Sequence, residues 1–314
     1  MVSQVNEHLG IPTKQIVEWT RAFVRHASPQ TERFEHEPQV QSFIGERVVP
    51  LVQELGLPWR RDPMGNLLVE LGPQRADRSL MLMAYAMTHP ANRMPNPFAG
   101  ELIEDAGGAY VRGRGVSEQK GSLAAALAAV KAAADRLPLR GRLIFTVSTA
   151  GETGRHDAAL SICDALGFAP RLAVIVIGTT SRVALANKGR IDAIVTVRGK
   201  ASHSSTPWVG VNAIDGARRV LDRVMAVDVG ANKHPGLGQA TLTPTAVRSW
   251  PEATHTVQDE VRLVFDRRLL PGDDPKAAFA AIAQWHSEDE RIAVTDLITG
   301  AGAYLGMIED YLCQ

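Results

Sequence analysis

The amino-acid sequence predicts an α/β protein: a larger domain with a mostly parallel sheet, and a smaller domain inserted after it. Two observations lead to this prediction. Up to about residue 188, short apolar runs alternate with helical stretches, which is the pattern of a buried parallel sheet. From 189 to 298 the predicted elements follow the order β-α-β-β-α-β, which is the ferredoxin-like, split βαβ arrangement. The predicted domains are therefore 1–188 together with 299–314, and 189–298.

The larger domain begins with two amphipathic helices. Apolar residues recur at helical spacing over 12–28 and again over 40–55. Gly56 is predicted to end the second helix, and Pro50 to kink it, because proline lacks a backbone N–H. The apolar runs that predict buried strands are 66–71, 79–87, 142–149 and 171–178. The helices predicted between them are 122–136 and 156–166.

The smaller domain is predicted from a change of pattern near residue 188, where apolar and polar residues begin to alternate as in a half-exposed strand. The strands predicted for this domain are 188–199, 239–247, 260–269 and 291–298. The helices predicted between them are 211–227 and 275–287.

Composition excludes several classes of function. The 314 residues carry 34 Lys and Arg against 34 Asp and Glu, so no strong field attracts nucleic acid or an anionic membrane surface. Small-molecule or protein partners are expected instead. No apolar run approaches the ~18 residues of a membrane span, and no signal peptide is recognised. The two cysteines, Cys163 and Cys313, lie far apart, so neither a disulfide nor a thiolate zinc site is expected, and the cytoplasm is the predicted location.

Four segments in order resemble a known family. They are PNPFAGEL at 95–102, GRGVSEQKG at 113–121, NKGRIDAIVTVRGKASHSSTPWVGVNAI at 187–214 and DRRLLPGDDP at 266–275. Together they resemble the M20-type zinc aminoacylase and dipeptidase superfamily, which includes acetylornithine deacetylase, succinyl-diaminopimelate desuccinylase and carboxypeptidase G-like enzymes. SEQKG and DRRL are most similar to its YgeY-like branch. The resemblance implies amide hydrolysis at two zinc ions held at the carboxyl ends of sheet strands, with a glutamate that activates the bridging water.

The same resemblance implies that most of the metal ligands have been substituted. In MAYAMTHP, the family's first histidine and aspartate ligands fall on Tyr85 and Met87, and neither a phenol nor a thioether binds zinc as those ligands do. The general-base glutamate falls on Gly151, and general-base catalysis contributes about 10²–10⁴ in rate. A further carboxylate ligand falls on Gly178. The last histidine ligand is expected to be missing, because its segment has no counterpart before Gln314.

Two carboxylates remain as candidate metal ligands. Glu118 stands in place of the bridging aspartate, and Glu152 in place of a ligand glutamate, where it is also a candidate catalytic residue. Two carboxylates without imidazole bind zinc weakly, although they can hold Mg²⁺ or Ca²⁺ together with waters. No cofactor is therefore expected, and if one is present it is zinc or another divalent metal. The alternative is that both side chains are solvated or salt-bridged.

Candidate site residues also remain in the smaller domain. His203, in GKASHSSTP, falls on the histidine that family members project into the partner subunit's site, where it donates a hydrogen bond to the scissile carbonyl. Asn212 and Arg268 fall on groups that contact substrate in the family. The alternatives are that His203 forms a local hydrogen bond in its serine-rich turn and that Asn212 caps a helix. Tyr85 and His89 are further candidates for substrate binding, because they sit where the ligands have been lost.

Three functions fit these residues. The preferred one is a pseudoenzyme that forms a homodimer through the smaller domain, or a mixed dimer with an active homologue. The second is a working hydrolase that cleaves an amide C–N bond of a small carboxylate substrate, with Glu118 and Glu152 holding water or a metal and Arg268 binding the carboxylate. The third is a small-molecule binding protein. Phosphate-binding glycine loops and the G-x-S-x-G elbow of serine hydrolases are absent from the sequence.

Overall fold

The computed structural model describes residues 10–106, 108–151, 156–179, 184–231 and 233–283, and the backbone of 292–293. The chain divides into two compact units, Met1–Val183 and Ala184–Gln314, and each has its own apolar core. The predicted return of 299–314 to the first unit falls outside the described residues. In the part of the chain that is described, no helix is both long and apolar enough to cross a membrane.

The first unit contains most of the elements that the sequence predicts. In chain order they are α1 (Thr13–Arg25), α2 (Pro38–Phe43), α3 (Val49–Glu54), β1 (Trp59–Arg61), β2 (Leu67–Leu71), β3 (Ser79–Tyr85), β4 (Glu101–Asp105), β5 (Gly108–Arg112), α4 (Gly121–Arg136), β6 (Arg142–Ser148), α5 (Asp157–Leu166) and β7 (Leu172–Val176). Predicted and observed ends differ by at most about three residues, which is an ordinary error for helix and strand ends.

The main sheet of this unit has the strand order β1-β2-β6-β3-β7. Strand β3 pairs in parallel with both β6 and β7, whereas β2 is antiparallel to its neighbours β6 and β1. Four of the five strands therefore run in one direction, and the prediction of a mostly parallel sheet is confirmed. The carboxyl ends of β3, β6 and β7 consequently meet at one edge of the sheet.

The predicted helix over 40–55 is interrupted just before Pro50. A π-helical turn at Ile44–Val48 joins α2 to α3, and Pro50 lies in the first turn of α3. Proline has no N–H to donate, and its ring collides with the carbonyl four residues earlier, so the regular ladder widens before it. Gly56, at φ +67°, follows the end of α3 as predicted.

The antiparallel hairpin of β4 and β5 is an element that the sequence analysis did not predict. Its ten residues are mostly exposed, so they show neither the apolar run nor the clear alternation that marks a strand in the sequence. After the hairpin, a second π-helical turn at Val116–Lys120 leads into α4 and carries Glu118.

The second unit has the predicted ferredoxin-like arrangement. Its elements are β8 (Gly189–Arg198), β9 (Ser202–His203), α6 (Ala213–Met225), β10 (Lys233–His234), β11 (Gly238–Gln239), β12 (Thr241–Trp250), β13 (Thr256–Val257), β14 (Glu260–Leu269), α7 (Pro275–Ala283) and β15 (Ile292–Ala293). The main strands form an antiparallel sheet in the order β12-β14-β8-β15. Helix α6 covers this sheet with an apolar face that includes Ala217, Val220 and Val224. The short β9–β13 and β10–β11 pairs were not predicted.

Candidate functional site

Three positions that the resemblance singles out in the first unit lie at the carboxyl ends of the parallel strands. Tyr85 is the last residue of β3, Gly151 follows β6, and Gly178 follows β7. The Gly178 N–H donates a hydrogen bond of 2.9 Å to the carbonyl oxygen of Glu118, which joins the π-helical turn to the end of β7. This edge is where open α/β sheets bind their ligands, so it is the candidate functional site of the unit.

At Gly151 the space for a side chain is occupied by the ring of Tyr85. A Cβ placed on Gly151 would lie 2.7 Å from Cδ2 and 2.9 Å from Cγ of that ring, closer than carbon atoms approach in proteins. Tyr85 is itself 9% exposed and belongs to the apolar core. A tyrosine at 85 in this orientation and a side chain at 151 therefore exclude each other.

At Gly178 the obstacle is backbone. A Cβ at this position would lie 1.7 Å from the carbonyl oxygen of Ser117 and 2.8 Å from its carbonyl carbon. A backbone segment cannot rotate away as a flexible side chain can, so the π-helical turn and β7 can approach this closely only with glycine at 178. The site in its present form cannot hold a carboxylate there.

Met87 adds no ligand to the site. Its side chain is fully buried and belongs to the apolar core of the first unit. The chain around it is fixed by backbone hydrogen bonds from Ala86 to Ser148 and from Thr88 to Ser28, at 2.9 and 2.8 Å. Methionine at this place therefore extends the apolar core to the carboxyl edge of the sheet.

Glu118 and His89 are two polar residues beside this edge whose side chains lie close together. Their Oε2 and Nε2 atoms are 3.9 Å apart, and the side chains are 38% and 42% exposed. The pair carries opposite charges only when the imidazole is protonated, and an exposed pair of this kind is worth at most about 1 kcal/mol. The candidate ligand and candidate base Glu152 lies outside the described residues, so its predicted role stays a prediction.

Asn66 anchors the segment that leads toward Glu152, and the sequence analysis missed this role. Its Oδ1 accepts hydrogen bonds from the backbone N–H and the hydroxyl of Thr149, at 2.8 and 3.1 Å. Its Nδ2 donates to Asp62 Oδ2 at 2.6 Å and to the carbonyl oxygen of Ala158 at 3.2 Å. Asn66 and Thr149 are both fully buried. The one signal in the sequence is a polar residue at the start of an apolar strand.

Lys120 has a structural role at the other end of the π-helical turn. Its Nζ donates hydrogen bonds to the carbonyl oxygens of Phe23, at 2.9 Å, and of His26, which satisfies the last turn of α1. The ammonium group also lies 4.3 Å from the centroid of the Phe43 ring. Burial lowers the pKa of Lys120 to about 7. The lysine thus connects the turn that carries Glu118 to helix α1.

In the second unit, His203 lies on the short strand β9 and forms the local contacts that the sequence analysis gave as an alternative. Its Nδ1 accepts a hydrogen bond of 3.2 Å from the backbone N–H of Ser205 and is 2.8 Å from the Ser205 hydroxyl. The ring is exposed, so these contacts fix its orientation without covering it. Its predicted catalytic role stays a prediction.

Asn212 and Arg268 both have structural contacts. The Asn212 Oδ1 accepts a hydrogen bond of 2.9 Å from Ile214 N–H and caps α6. The Arg268 guanidinium donates to both carboxylate oxygens of Asp266, at 2.7 and 3.0 Å. The bidentate face of the arginine that would receive a substrate carboxylate is therefore engaged within its own strand, and substrate contact by either residue stays a prediction.

Comparison with known proteins agrees with the order of motifs. Residues 185–292 match the M20 family model described as a peptidase dimerisation domain. A probable succinyl-diaminopimelate desuccinylase of Staphylococcus epidermidis is 31% identical over 59% of this chain and 45% of its own length. The uncharacterized protein YgeY of Escherichia coli is 27% identical over 70% of this chain and 55% of its own. The chain spans about half the length of these curated relatives. Residues 185–292 thus match the M20 dimerisation domain, and the relatives support the resemblance of the chain to the M20 superfamily.

Solved structures show the same fold at low identity. Human carnosine dipeptidase 1 has a TM-score of 0.66 at 16% identity, covering 94% of this chain and 80% of that one. An M20 family metallo-carboxypeptidase of Sulfolobus solfataricus has a TM-score of 0.65 at 14% identity, covering 86% of this chain and 74% of that one. These likenesses establish the fold alone.

The residues at the strand ends do not fit the zinc pair of the M20 family. A catalytic zinc takes three protein ligands, and the described edge offers one carboxylate, Glu118, and one imidazole, His89. Among the residues that the structure describes, no three His, Cys, Asp or Glu side chains come together as a metal site.

Proposed function

We propose that this M20 homologue is a pseudoenzyme: it keeps the scaffold of its family but does not hydrolyse amide bonds with a zinc pair. The observation that carries the proposal is the ring of Tyr85 over Gly151. Hydrolysis needs a base within hydrogen-bond reach of the attacking water, and the family's base would extend from position 151. Here that volume contains an aromatic ring that belongs to the core.

The geometry at Gly178 supports the same proposal independently. A ligand carboxylate at 178 requires the turn around Ser117 to withdraw, because the Ser117 carbonyl oxygen now occupies the position of the Cβ. The space beside Gly151 is filled by the Tyr85 side chain, whereas the space beside Gly178 is filled by the backbone of Ser117. Recovery of the family's site would need coordinated changes at both places.

A rebuilt hydrolase for an amide of a small carboxylate is the second candidate function, and the His89–Glu118 pair is the observation that favours it. Both side chains are accessible and lie close enough to share a water molecule between Nε2 and Oε2. Binding of the substrate carboxylate by Arg268 would require that Asp266 be displaced from the guanidinium. A protein that binds such a molecule without hydrolysing it would use His89 and Glu118 for contact alone, and would need no group to activate a water molecule.

The segment that matches the dimerisation domain supports a proposal about assembly. We propose that the chain forms a homodimer through its second unit. A mixed dimer with an active homologue is the alternative, in which His203 of this chain would complete the site of the other subunit. Co-purification of an active homologue from the native source would favour the mixed dimer, whereas a homodimer free of such a protein would count against it.

The test combines metal analysis with a hydrolysis screen on the full chain. Zinc would be measured by plasma mass spectrometry in protein purified without chelator, and turnover with N-acyl amino acids and dipeptides. Glu118→Gln and Glu152→Ala would be measured in parallel. We expect no turnover above the uncatalysed rate and no zinc content that depends on Glu118. Two zinc ions per chain, or turnover abolished by Glu152→Ala or Glu118→Gln, would overturn the proposal and leave the rebuilt hydrolase.

A further inference from the structure

Thr88 and Gln119 carry polar side-chain atoms that are buried without a hydrogen-bond partner. Both residues are fully buried in the first unit. The Thr88 hydroxyl oxygen and both the Oε1 and Nε2 atoms of Gln119 have no partner among the residues that the structure describes. Most buried polar side-chain atoms in proteins have a partner, either in the protein or in ordered water. The three atoms therefore point to a partner outside the polypeptide.

The two side chains converge on one point beside Gly115. A Cβ placed on Gly115 would lie 2.4 Å from Cγ2 and 3.2 Å from Cβ of Thr88, and 3.4 Å from Oε1 of Gln119. Gly115 has φ +78°, a conformation that favours glycine. The Thr88 hydroxyl group, which is attached to that Cβ of Thr88, is therefore a close neighbour of the Gln119 amide. The two groups nevertheless form no hydrogen bond with each other.

Backbone hydrogen bonds hold both residues in place. The Thr88 N–H donates to the carbonyl oxygen of Ser28 at 2.8 Å, and the Thr88 carbonyl oxygen accepts from the Gln30 N–H at 2.9 Å. The Gln119 N–H, in the π-helical turn, donates to the carbonyl oxygen of Gly115 at 3.0 Å. Neither segment can therefore turn its side chain toward solvent without breaking these bonds.

We propose that Thr88 and Gln119 hold an internal water molecule, which joins the segment after β3 to the π-helical turn. The ligand is small and neutral because both side chains are fully buried and neither carries a charge. A water molecule both donates and accepts hydrogen bonds, so it can bond to the hydroxyl group and to either end of the amide. Internal waters in proteins typically bridge buried polar groups in this way.

The bridge connects the two stretches of backbone that carry the His89–Glu118 pair. Thr88 is the residue before His89, and Gln119 is the residue after Glu118. The water thus ties together the segments whose exposed side chains place Nε2 and Oε2 3.9 Å apart. This bridge would be present whether or not the chain hydrolyses amide bonds, so its test is independent of the proposed function.

The experiment combines a crystal structure of the full chain with urea unfolding of two variants. In the crystal we expect a water molecule within about 3.2 Å of both the Thr88 hydroxyl oxygen and one amide atom of Gln119. Thr88→Val and Gln119→Met remove the polar groups and keep a similar shape. Each should lower the folding equilibrium constant about 10-fold, because the hydrogen bonds through the water are lost.

A double variant distinguishes a bridge from two separate groups. Thr88→Val combined with Gln119→Met should cost little more than either substitution alone, because the first already releases the water. Thr146→Val is the matched control. The Thr146 hydroxyl is also buried without a partner among the described residues, but Thr146 pairs with Met83 in the middle of the sheet. Its effect should add to that of Gln119→Met.

An amide that holds no water gives the opposite result. A buried amide without a partner is destabilising, so its replacement by methionine would then raise the stability. A more stable Gln119→Met, additive effects of Thr88→Val and Gln119→Met, or no water density between the two wild-type side chains would each overturn the proposal. The crystal structure requires no substitution, so it tests the proposal even where circular dichroism shows that a variant does not fold.

Discussion

The strand ends of the first unit and the β9–β13 pair of the second differ in how tightly their candidate residues are packed. At the strand ends, Tyr85 is almost completely buried, Met87 is completely buried, and the backbone of Ser117 lies against Gly178. At the β9–β13 pair, His203 and His255 are exposed and contact mainly their own turn. One region is part of a core and the other is an open surface.

This difference explains why the two regions respond differently to substitution. A packed region has few voids, so an added side-chain atom must displace a neighbouring side chain or backbone segment. Tyr85 has this relation to Gly151. On an open surface, water fills the volume and the remaining side chains keep their contacts. Substitutions in the two regions should therefore differ in their effect on stability.

The largest difference in stability is expected between alanine substitutions at Gly178, which lies against backbone, and at Gly236, which faces open space. Gly178→Ala forces a Cβ to within 1.7 Å of a carbonyl oxygen, so we expect a loss of about 3 kcal/mol in the free energy of unfolding. Gly236→Ala is the matched control in the second unit, where the nearest atom is 3.9 Å away, and should change it by less than about 0.5 kcal/mol. Urea unfolding measures both, and equal effects would remove the distinction between the regions.

The buried Lys120 should make the stability of the first unit depend on pH. Its pKa is lowered by burial from 10.5 to about 7, so between these values the unfolded chain binds a proton that the folded chain does not. Stability should therefore rise with pH in this window, by up to about 1.4 kcal/mol per pH unit. In Lys120→Met the rise should be absent.

The control for this prediction is Lys188→Met, which removes a lysine that contacts the carbonyl oxygen of Gln239 at the surface of the second unit. That variant should keep the rise. Urea unfolding at several pH values between neutral and about 9 gives the comparison, because groups common to wild type and variant cancel in the difference. A rise of equal slope in Lys120→Met would show that another group is responsible.

The contact between Tyr85 and Gly151 should appear as a coupling energy. Gly151→Ala is expected to destabilise the wild-type chain, and to do so less in a Tyr85→Ala background, where the ring no longer opposes the added Cβ. A double-mutant cycle should give a coupling of about 1–2 kcal/mol. The pair Tyr85→Ala and Gly236→Ala should be additive. Additivity of the first pair would mean that the ring does not exclude a side chain at 151.

The smallest effect is expected for Asn212 in the second unit. Asn212→Ala removes the cap of α6 and should lower the free energy of unfolding by about 1 kcal/mol. Asn212→Asp should retain most of the stability of the wild-type chain, because the aspartate carboxylate can accept the same hydrogen bond from the Ile214 N–H. A stability unchanged in Asn212→Ala would mean that the cap contributes little and would return the residue to the candidates for substrate contact alone.

Much of the fold was predictable because it depends on local patterns. The strands β3 and β6 are apolar runs that can only be buried, and the kink before Pro50 follows from the chemistry of proline. The β4–β5 hairpin was missed because exposed residues carry no such pattern. The π-helical turn at Val116–Lys120 lies within the motif at 113–121, but no local pattern predicts that this motif forms such a turn.

For the candidate site, the resemblance predicted which positions meet at the strand ends, and the structure places Tyr85, Glu118, Gly151 and Gly178 together there. The anchoring by Asn66 and the capping by Lys120 could not be predicted. Asn66 and Thr149 are 83 residues apart in the chain, and Lys120 and Phe23 are 97 apart. A local sequence pattern cannot predict a hydrogen bond between residues that are this far apart in the chain.

The order of residues specifies the two-part α/β architecture, because element type follows from local patterns of apolar and polar residues. It also predicts, through the resemblance, that Tyr85, Met87, Gly151 and Gly178 stand where the family has metal ligands or its base. Only the folded chain shows which neighbours occupy the space beside these positions. The Tyr85 ring fills the volume at Gly151, the Ser117 carbonyl fills that at Gly178, and His203 comes beside His255. Each is a contact between segments distant in the chain, and such contacts depend on how the folded backbone occupies space.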